Sequence, residues 1–435
     1  MSRQKVSFFW FRRDLRWEDN TALWHALQSE FRVIPLFIFD TAILNELPQN
    51  DARVTFIYQT LQNLHQQLLP FQSSILIQKG TVLEVWNSLL EEFDIQGLFF
   101  NKDYEPFALE RDSAVLKLFS EKGIPVESYK DHVIFEENDI VKSDGLPYTV
   151  YTPYKNKWLT EFELQKNKLQ PLPPISFDNF YKNSFEFPSL ESIGFTKSTI
   201  QVQKPNLSNI TYYHQTRDFP ALDTTSYLSP HLRFGTVSIC KLALWAVQKN
   251  VTFLSELIWR EFFIQILFHF PNSVHQNFKS AYDGIQWRNN ESEFKQWCQG
   301  NTGYPLVDAG MRQLNQTGYM HNRVRMVVAS FLCKHLLINW QWGEAYFAEK
   351  LLDFELASNV GNWQWAAGTG CDAAPYFRVF NPEIQQQKFD PKGVYIRKWI
   401  PEFDLGYAAP MVAHAFARDR AIATYKAGII LKTGN

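Results

Sequence analysis

Residues 6–39, VSFFWFRRDLRWEDNTALWHALQSEFRVIPLFIF, read as strand, helix, strand. The runs Val6–Phe11 and Val33–Phe39 are apolar almost without interruption, as strands covered on both faces are, and between them Thr21–Ser29 has helical spacing. The alternation continues outward. Strand-like Ser74–Gln78 and Leu98–Asn101 are separated by helix-like Val54–Leu69 and Thr81–Phe93, and Ala108–Lys122 follows. Successive βαβ units of this kind predict an α/β domain around a parallel sheet, residues 1–130.

Residues 131–208 turn polar and proline-dotted, as in KLQPLPPISFDNF, and read as an interdomain connector. From 209 to 435 strand signals nearly vanish. Apolar residues recur at helical spacing in Ile239–Val247, Phe253–Phe268, Leu306–Leu314, Arg325–Leu337 and Ala345–Leu356, so the second half is predicted to be an all-helical domain.

Composition narrows the function. Aromatic residues make up 16% of the chain, 37 Phe, 18 Tyr and 14 Trp, which suits stacking on planar ligands as well as core filling. The net charge of -2 argues against a protein that coats nucleic acid indiscriminately. Residues 1–205 hold 21 Lys/Arg against 27 Asp/Glu, and residues 206–435 hold 22 against 18, so only the second half is mildly basic. Cys240, Cys298, Cys333 and Cys371 include no C-x-x-C pair, so neither zinc nor a disulfide framework is indicated. No apolar run is long enough to span a bilayer and the start lacks a signal-peptide pattern, which predicts a cytoplasmic protein.

Chemistry-bearing residues concentrate in the helical half. In DFELASNVGNWQWAAGTGCDAAPYFR, residues 353–378, Asn359 and Trp363 are four apart and share a helix face, with Trp365 turned elsewhere. Taken singly, a core indole and a capping amide would explain the pair as well. Thr224, Thr225, Ser226 and Ser229 precede Pro230, where a helix would begin, an arrangement that suits an anion or simply a cap. Glu256, Trp259 and Phe263 share a face, so a carboxylate sits beside aromatic surface, while Arg260 and Glu261 look outward or pair. Arg325 is a natural partner for Asp353 or Glu355, and Arg323 suits a phosphate. His321 reads equally as a structural histidine, and no metal is indicated.

Together these segments carry a resemblance. FFWFRRDLRWEDNTAL, RDFP…LSPHLRFG, ELIWREF, TGYPLVDAGMRQL, GYMHNRVRM and NWQWAAGTGCDAAPYFRVFNP occur in the order found in the photolyase/cryptochrome family. Within it the chain most resembles bacterial class I cyclobutane pyrimidine dimer photolyases. The resemblance implies a Rossmann-like antenna domain and an all-α FAD-binding domain. One non-covalent FAD would be held by Tyr213, the loop Thr225, Ser226, Tyr227, Leu228, Ser229, and by Phe253, Arg260, Arg325, Asp353, Phe354 and Glu355, with Asn359 facing the flavin ring. Trp363, Trp340 and Trp287 match an electron-transfer chain to the surface. The lesion pocket would take Glu256 as the catalytic carboxyl, with Trp259, Trp365, Asn322 and Met326 around it, and Arg217, Arg323 and Gln385 touching DNA. The implied partner is UV-damaged DNA, bound by a monomer that flips the dimer out of the duplex.

The N-terminal domain would hold an antenna, 5,10-methenyltetrahydrofolate or 8-hydroxy-5-deazaflavin, near Asn101–Arg111, NKDYEPFALER; that stretch reads equally as a scaffold loop. Phe253, Asn362 and Glu355 depart from the frequent Trp, Gly and Asp of the family. Three other readings are weaker. A (6-4) photolyase would carry paired histidines where this chain has Met320, His321 and Asn322, and usually Met in place of Gln364. A signalling cryptochrome commonly has a long C-terminal extension. A general flavin oxidoreductase has no need of Arg217, Arg323 and a Trp-lined pocket.

Overall fold

The computed structural model describes residues 3–433. They form two compact units, neither continuous in sequence: residues 3–139, 159–204 and 228–248, and residues 140–158, 205–227 and 249–433.

The first unit is built on five parallel strands, β1 (Lys5–Phe11), β2 (Val33–Asp40), β3 (Leu76–Gly80), β4 (Asp94–Asn101) and β5 (Val126–Tyr129), in the order β3-β2-β1-β4-β5. Strand β1 shows why an unbroken apolar run is needed. Val6, Phe8 and Trp10 enter one core with Trp86 and Phe119, and Phe9 and Phe11 enter the opposite core with Leu23 and Val54, so both faces are covered. Asn20 and Asp51 cap the helices Thr21–Gln28 and Ala52–Leu68, and Thr81 with Glu84 forms a capping box on Val82–Glu92. Strand β5, VESY, escapes sequence reading because it is a short edge strand with two exposed polar residues. Residues 159–204, inside the expected connector, pack here: Phe180 is buried in the core and bridges Val33.

Strand order reverses between β1 and β4, where an open α/β sheet offers a crevice at the carboxyl ends of its strands. The crevice is lined by Arg12, Arg13, Asp14, Asn101, Lys102, Asp103, Asp131 and His132. Its charges are mutually engaged. Arg13 pairs with Asp103 at 3.1 Å, Lys102 with Glu136 at 2.6 Å, and Arg16 with Asp131 at 2.7 Å. Burial alone would raise Asp103, yet Arg13, His132 and Arg12 hold it far below the usual carboxylate range.

The second unit is helical. Val251–His269, Pro305–Thr317, Asn322–Ser330, Trp340–Lys350 and Leu356–Ala367 surround a core that includes Trp297, Met311, Val328, Trp340, Phe347 and Trp363. Gly343 lets two of these helices approach, since a Cβ there would lie 2.2 Å from the Trp363 ring. Two expected helices are corrected. The stretch 325–337 is α-helical only to Ser330 and continues as a π turn, Phe331–His335. The stretch 345–356 is instead Trp340–Lys350, started by an Asn339 cap, followed by a non-helical break at 351–355. Leu351 and Leu352 are buried in that break, and Leu352 N–H donates to the Gly318 carbonyl, so their burial imitates a helix pattern. Among the described residues no helix is long and apolar enough to cross a membrane.

Candidate cofactor and lesion site

The break at 351–355 places Asp353, Phe354 and Glu355 at the mouth of helix Leu356–Ala367, whose next turns carry Asn359 and Trp363. These residues line a cavity together with Asn322, Arg325, Met326, Phe347, Ser358, Asn362 and Trp365. Asn359 and Trp363 share it as their spacing predicts. Trp365, expected on another face, reaches it too, because the cavity extends round the helix.

Each acid of the wall has a cation. Arg325 Nη2 donates to Asp353 Oδ2 at 2.8 Å and its Nε to the Met320 carbonyl at 2.8 Å, so the expected pair forms. Arg260 Nη2 meets Glu355 Oε1 at 2.9 Å, the two side chains only 11% and 6% exposed. Neither member of the expected outward pair points to solvent: the neighbouring Glu261 is buried and accepts from the Trp158 indole N–H at 2.6 Å. These ion pairs remove most net charge from the wall and leave acceptors with fixed directions.

Asn359 is held by a residue that the sequence did not single out. Its Nδ2 donates to Glu344 Oε1 at 2.8 Å and to the Glu344 carbonyl at 3.1 Å, which leaves the amide oxygen as an acceptor. Burial raises the Glu344 carboxyl above its ordinary 4.5, opposed by the Asn359 bond. Below pH 4.5 Glu344 is protonated in folded and unfolded chains alike. From there up to the raised value the folded protein keeps a proton that the unfolded chain has released, so this group's contribution to stability declines as pH rises. Glu344→Gln, which keeps the acceptor, is expected to raise the melting temperature at pH 8 and leave it unchanged near pH 4, measured by scanning calorimetry.

A second cluster surrounds Glu256 on helix Val251–His269. Burial raises its carboxyl, against the pull of Arg217, whose Nη1 lies 2.6 Å away. Trp259, on the same face, stacks on Tyr151 with ring centroids 3.5 Å apart and planes at 9°, and meets Phe263 at 5.5 Å. The Tyr151 hydroxyl donates to the Ser255 carbonyl at 2.7 Å, one residue before Glu256. Tyr151 carried no local signal, since its partner lies over a hundred residues along the chain. Tyr213 packs edge-on to buried Phe253 and under the Arg217 guanidinium.

The arginines assigned to DNA are paired internally. Arg217 holds Glu256, and Arg323 meets Asp218 at 2.7 Å and lies over the Phe389 ring. Gln385 is half-buried on helix Pro382–Phe389. His321 caps helix Asn322–Ser330 by accepting from Arg323 N–H, and burial lowers it to about 4, so it is neutral and structural. Thr225, Ser226 and Tyr227 form an irregular loop in which Tyr227 adopts φ 52°. Leu228 and Ser229 already belong to helix Leu228–Arg233, which starts two residues before Pro230, and they pack in the first unit. Trp363 and Trp340 are each 2% exposed, whereas Trp287 is half-buried against Tyr425 at 5.8 Å.

The cavity fits a flavin. Trp363, Phe347 and Leu351 offer apolar surface for a planar ring, and Asn359 offers an amide for a polar ring edge. Asp353 Oδ1 is buried with no hydrogen-bond partner in the protein, an acceptor open to a ligand donor.

Comparison with known proteins agrees. Residues 7–176 match the family described as DNA photolyase, and residues 253–405 match the FAD binding domain of DNA photolyase. A deoxyribodipyrimidine photo-lyase of Vibrio cholerae is 38% identical over 90% of this chain and 89% of its own length. That of Escherichia coli is 36% identical over 96% and 98%. A bacterial class III photolyase from Agrobacterium tumefaciens superposes with TM-score 0.86 at 33% identity, covering 98% of each chain. An archaeal photolyase from Sulfolobus tokodaii, solved with two FAD molecules, gives 0.84 at 33% identity over 98% of this chain and all of its own. With an FAD-binding domain in its helical unit and relatives matched nearly end to end, the chain belongs to the photolyase/cryptochrome family.

Proposed function

We propose that this protein is a light-driven DNA repair enzyme that splits cyclobutane pyrimidine dimers, acting as a cytoplasmic monomer on UV-damaged DNA. One observation carries the reading: residues assigned to flavin (Asn359, Asp353, Glu355, Arg325) and residues assigned to the lesion (Asn322, Met326, Trp365) line a single cavity. An electron donor and a flipped-out pyrimidine dimer would meet there without intervening protein.

Reduced FAD, when bound, would supply the light-driven one-electron chemistry. The chain's residues do the rest. Arg325 and Arg260 hold Asp353 and Glu355 as directed acceptors, and Glu344 fixes the Asn359 amide at the ring edge. Glu256, held beside the Arg217 guanidinium, is positioned to accept a hydrogen bond from the edge of a pyrimidine, with that guanidinium near enough to offset negative charge that develops there. Trp259, braced by Tyr151 and Phe263, and Trp365 give apolar surface against which an unstacked dimer is held. Trp363 on the cavity wall, buried Trp340 and half-buried Trp287 are the residues assigned to photoreduction of an oxidised flavin. Trp287→Phe is expected to slow photoreduction about tenfold and to leave repair by chemically reduced protein unchanged, read from flavin absorbance under blue light.

The deciding experiment gives reduced protein a dimer-bearing oligonucleotide under blue light, beside a dark control and a (6-4) substrate. Light-dependent repair of the dimer alone is expected. Bound, photoreducible flavin without any repair would overturn the reading in favour of a light sensor.

A further inference from the structure

Trp340 is almost wholly buried, yet its indole N–H does not end in the apolar core: it donates to Asn277 Oδ1 at 2.9 Å. The Asn277 Nδ2 in turn donates to Asp283 Oδ1 at 2.9 Å, and Asp283 is exposed. An indole, an amide and a carboxylate thus form one chain from core to surface. Its middle member is not held by chance. Gln364, between Trp363 and Trp365, donates to the carbonyls of Ser273 and Gln276 and accepts from Phe278 N–H at 2.8 Å, which secures the segment around Asn277 against the helix that carries Trp363. Gln341, next to Trp340, donates to the His275 carbonyl at 2.9 Å.

The geometry points to Asn277, polarised by Asp283, as the residue that makes Trp340 easier to oxidise than a buried indole otherwise is. The inference rests on the reading of Trp363, Trp340 and Trp287 as the photoreduction route. In that route Trp363 gives one electron to the oxidised flavin, and one electron then leaves Trp340 for Trp363. Trp340 is left with a positive charge in a low-dielectric core, which is costly unless a dipole faces it. Oδ1 of Asn277 is that dipole. It strengthens its bond as the indole becomes cationic, and hydrogen bonding from the amide to the Asp283 carboxylate adds electron density to the same oxygen. An amide oxygen is too weak a base to remove the indole proton, so the proton stays on Trp340 and an electron from Trp287 restores it unchanged. Asn277 acts through Trp340 and is a positioning residue. Hydrogen bonds to charged groups exceed those between neutral groups by enough to favour the oxidised indole about tenfold.

The test measures flavin photoreduction and transient absorption of oxidised tryptophan in the full flavin-loaded chain, for Asn277→Leu, Asp283→Asn and Trp340→Phe. Ultraviolet resonance Raman of the indole N–H on flavin-free protein is recorded beside them. Asn277→Leu is expected to lower the photoreduction yield about tenfold and to shift the N–H signature of one buried indole. Asp283→Asn, a surface change that does not threaten folding, is expected to lower the yield about twofold to threefold. Normal photoreduction in Asn277→Leu with slow photoreduction in Trp340→Phe would overturn the inference and leave the route standing. An unshifted Raman signature in Asn277→Leu would overturn it as well. Normal photoreduction in Trp340→Phe would overturn the route itself, and this inference with it.

Discussion

Asp353→Ala protein is expected to purify colourless, its flavin absorbance reduced to a small fraction of the parent's. Two losses add. The carboxylate with its partnerless buried Oδ1 disappears from the cavity wall, and a hydrogen bond to a charged acceptor is worth about 1.5–3 kcal/mol, or roughly 10-fold to 100-fold in affinity. Arg325 also loses the partner 2.8 Å away and is left in the wall as an uncompensated cation facing the ligand. Breaking a fully buried pair costs about 3–5 kcal/mol, and because the Arg325 side chain is 24% exposed we expect about 2 kcal/mol of lost stability. Asp353→Asn keeps an acceptor and is expected to fall between. Flavin content per chain and the denaturant midpoint check both. Full flavin occupancy in Asp353→Ala would remove Asp353 from the site.

Glu256→Ala is the second large effect, and it should separate lesion chemistry from flavin binding. Glu256 is not among the residues of the flavin cavity wall, so flavin content should stay at the parent level. Repair per absorbed photon is expected to fall by roughly tenfold or more, the scale on which a preorganised polar group beside developing charge acts. A further consequence follows from the 2.6 Å ion pair with Arg217. Removing the carboxylate frees a guanidinium for phosphate, so affinity for undamaged DNA should rise while the preference for damaged over undamaged DNA falls, with a steeper salt dependence. A filter-binding series at several salt concentrations, with both DNAs, reads this directly. Loss of flavin, or unchanged repair, would sink the role assigned to Glu256.

The element order was legible because it depends on local pattern. Val6–Phe11 and Val33–Phe39 are apolar on both faces, and only a strand covered on both sides uses such a run. The spacing of Asn359 and Trp363 likewise placed them on one wall. Burial by tertiary contact misled the same reasoning at Leu351 and Leu352, where two core leucines outside any helix extended a periodic pattern past Lys350. Strand β5 was missed for the opposite reason, an edge strand too polar to show one.

By itself the sequence determined most of the strands and helices, that the second half would be helical, and the spacing that puts Asn359 and Trp363 on one wall. Tertiary structure alone decided the partners. Asn359 leans on Glu344, Glu256 on Arg217, Trp259 on Tyr151 and Trp340 on Asn277, and in every case the two residues come from different elements. Helical and strand periods set which way a side chain faces, but which group it meets depends on where whole helices cross. That placement follows from the packing of the core, which residue spacing along one segment does not encode.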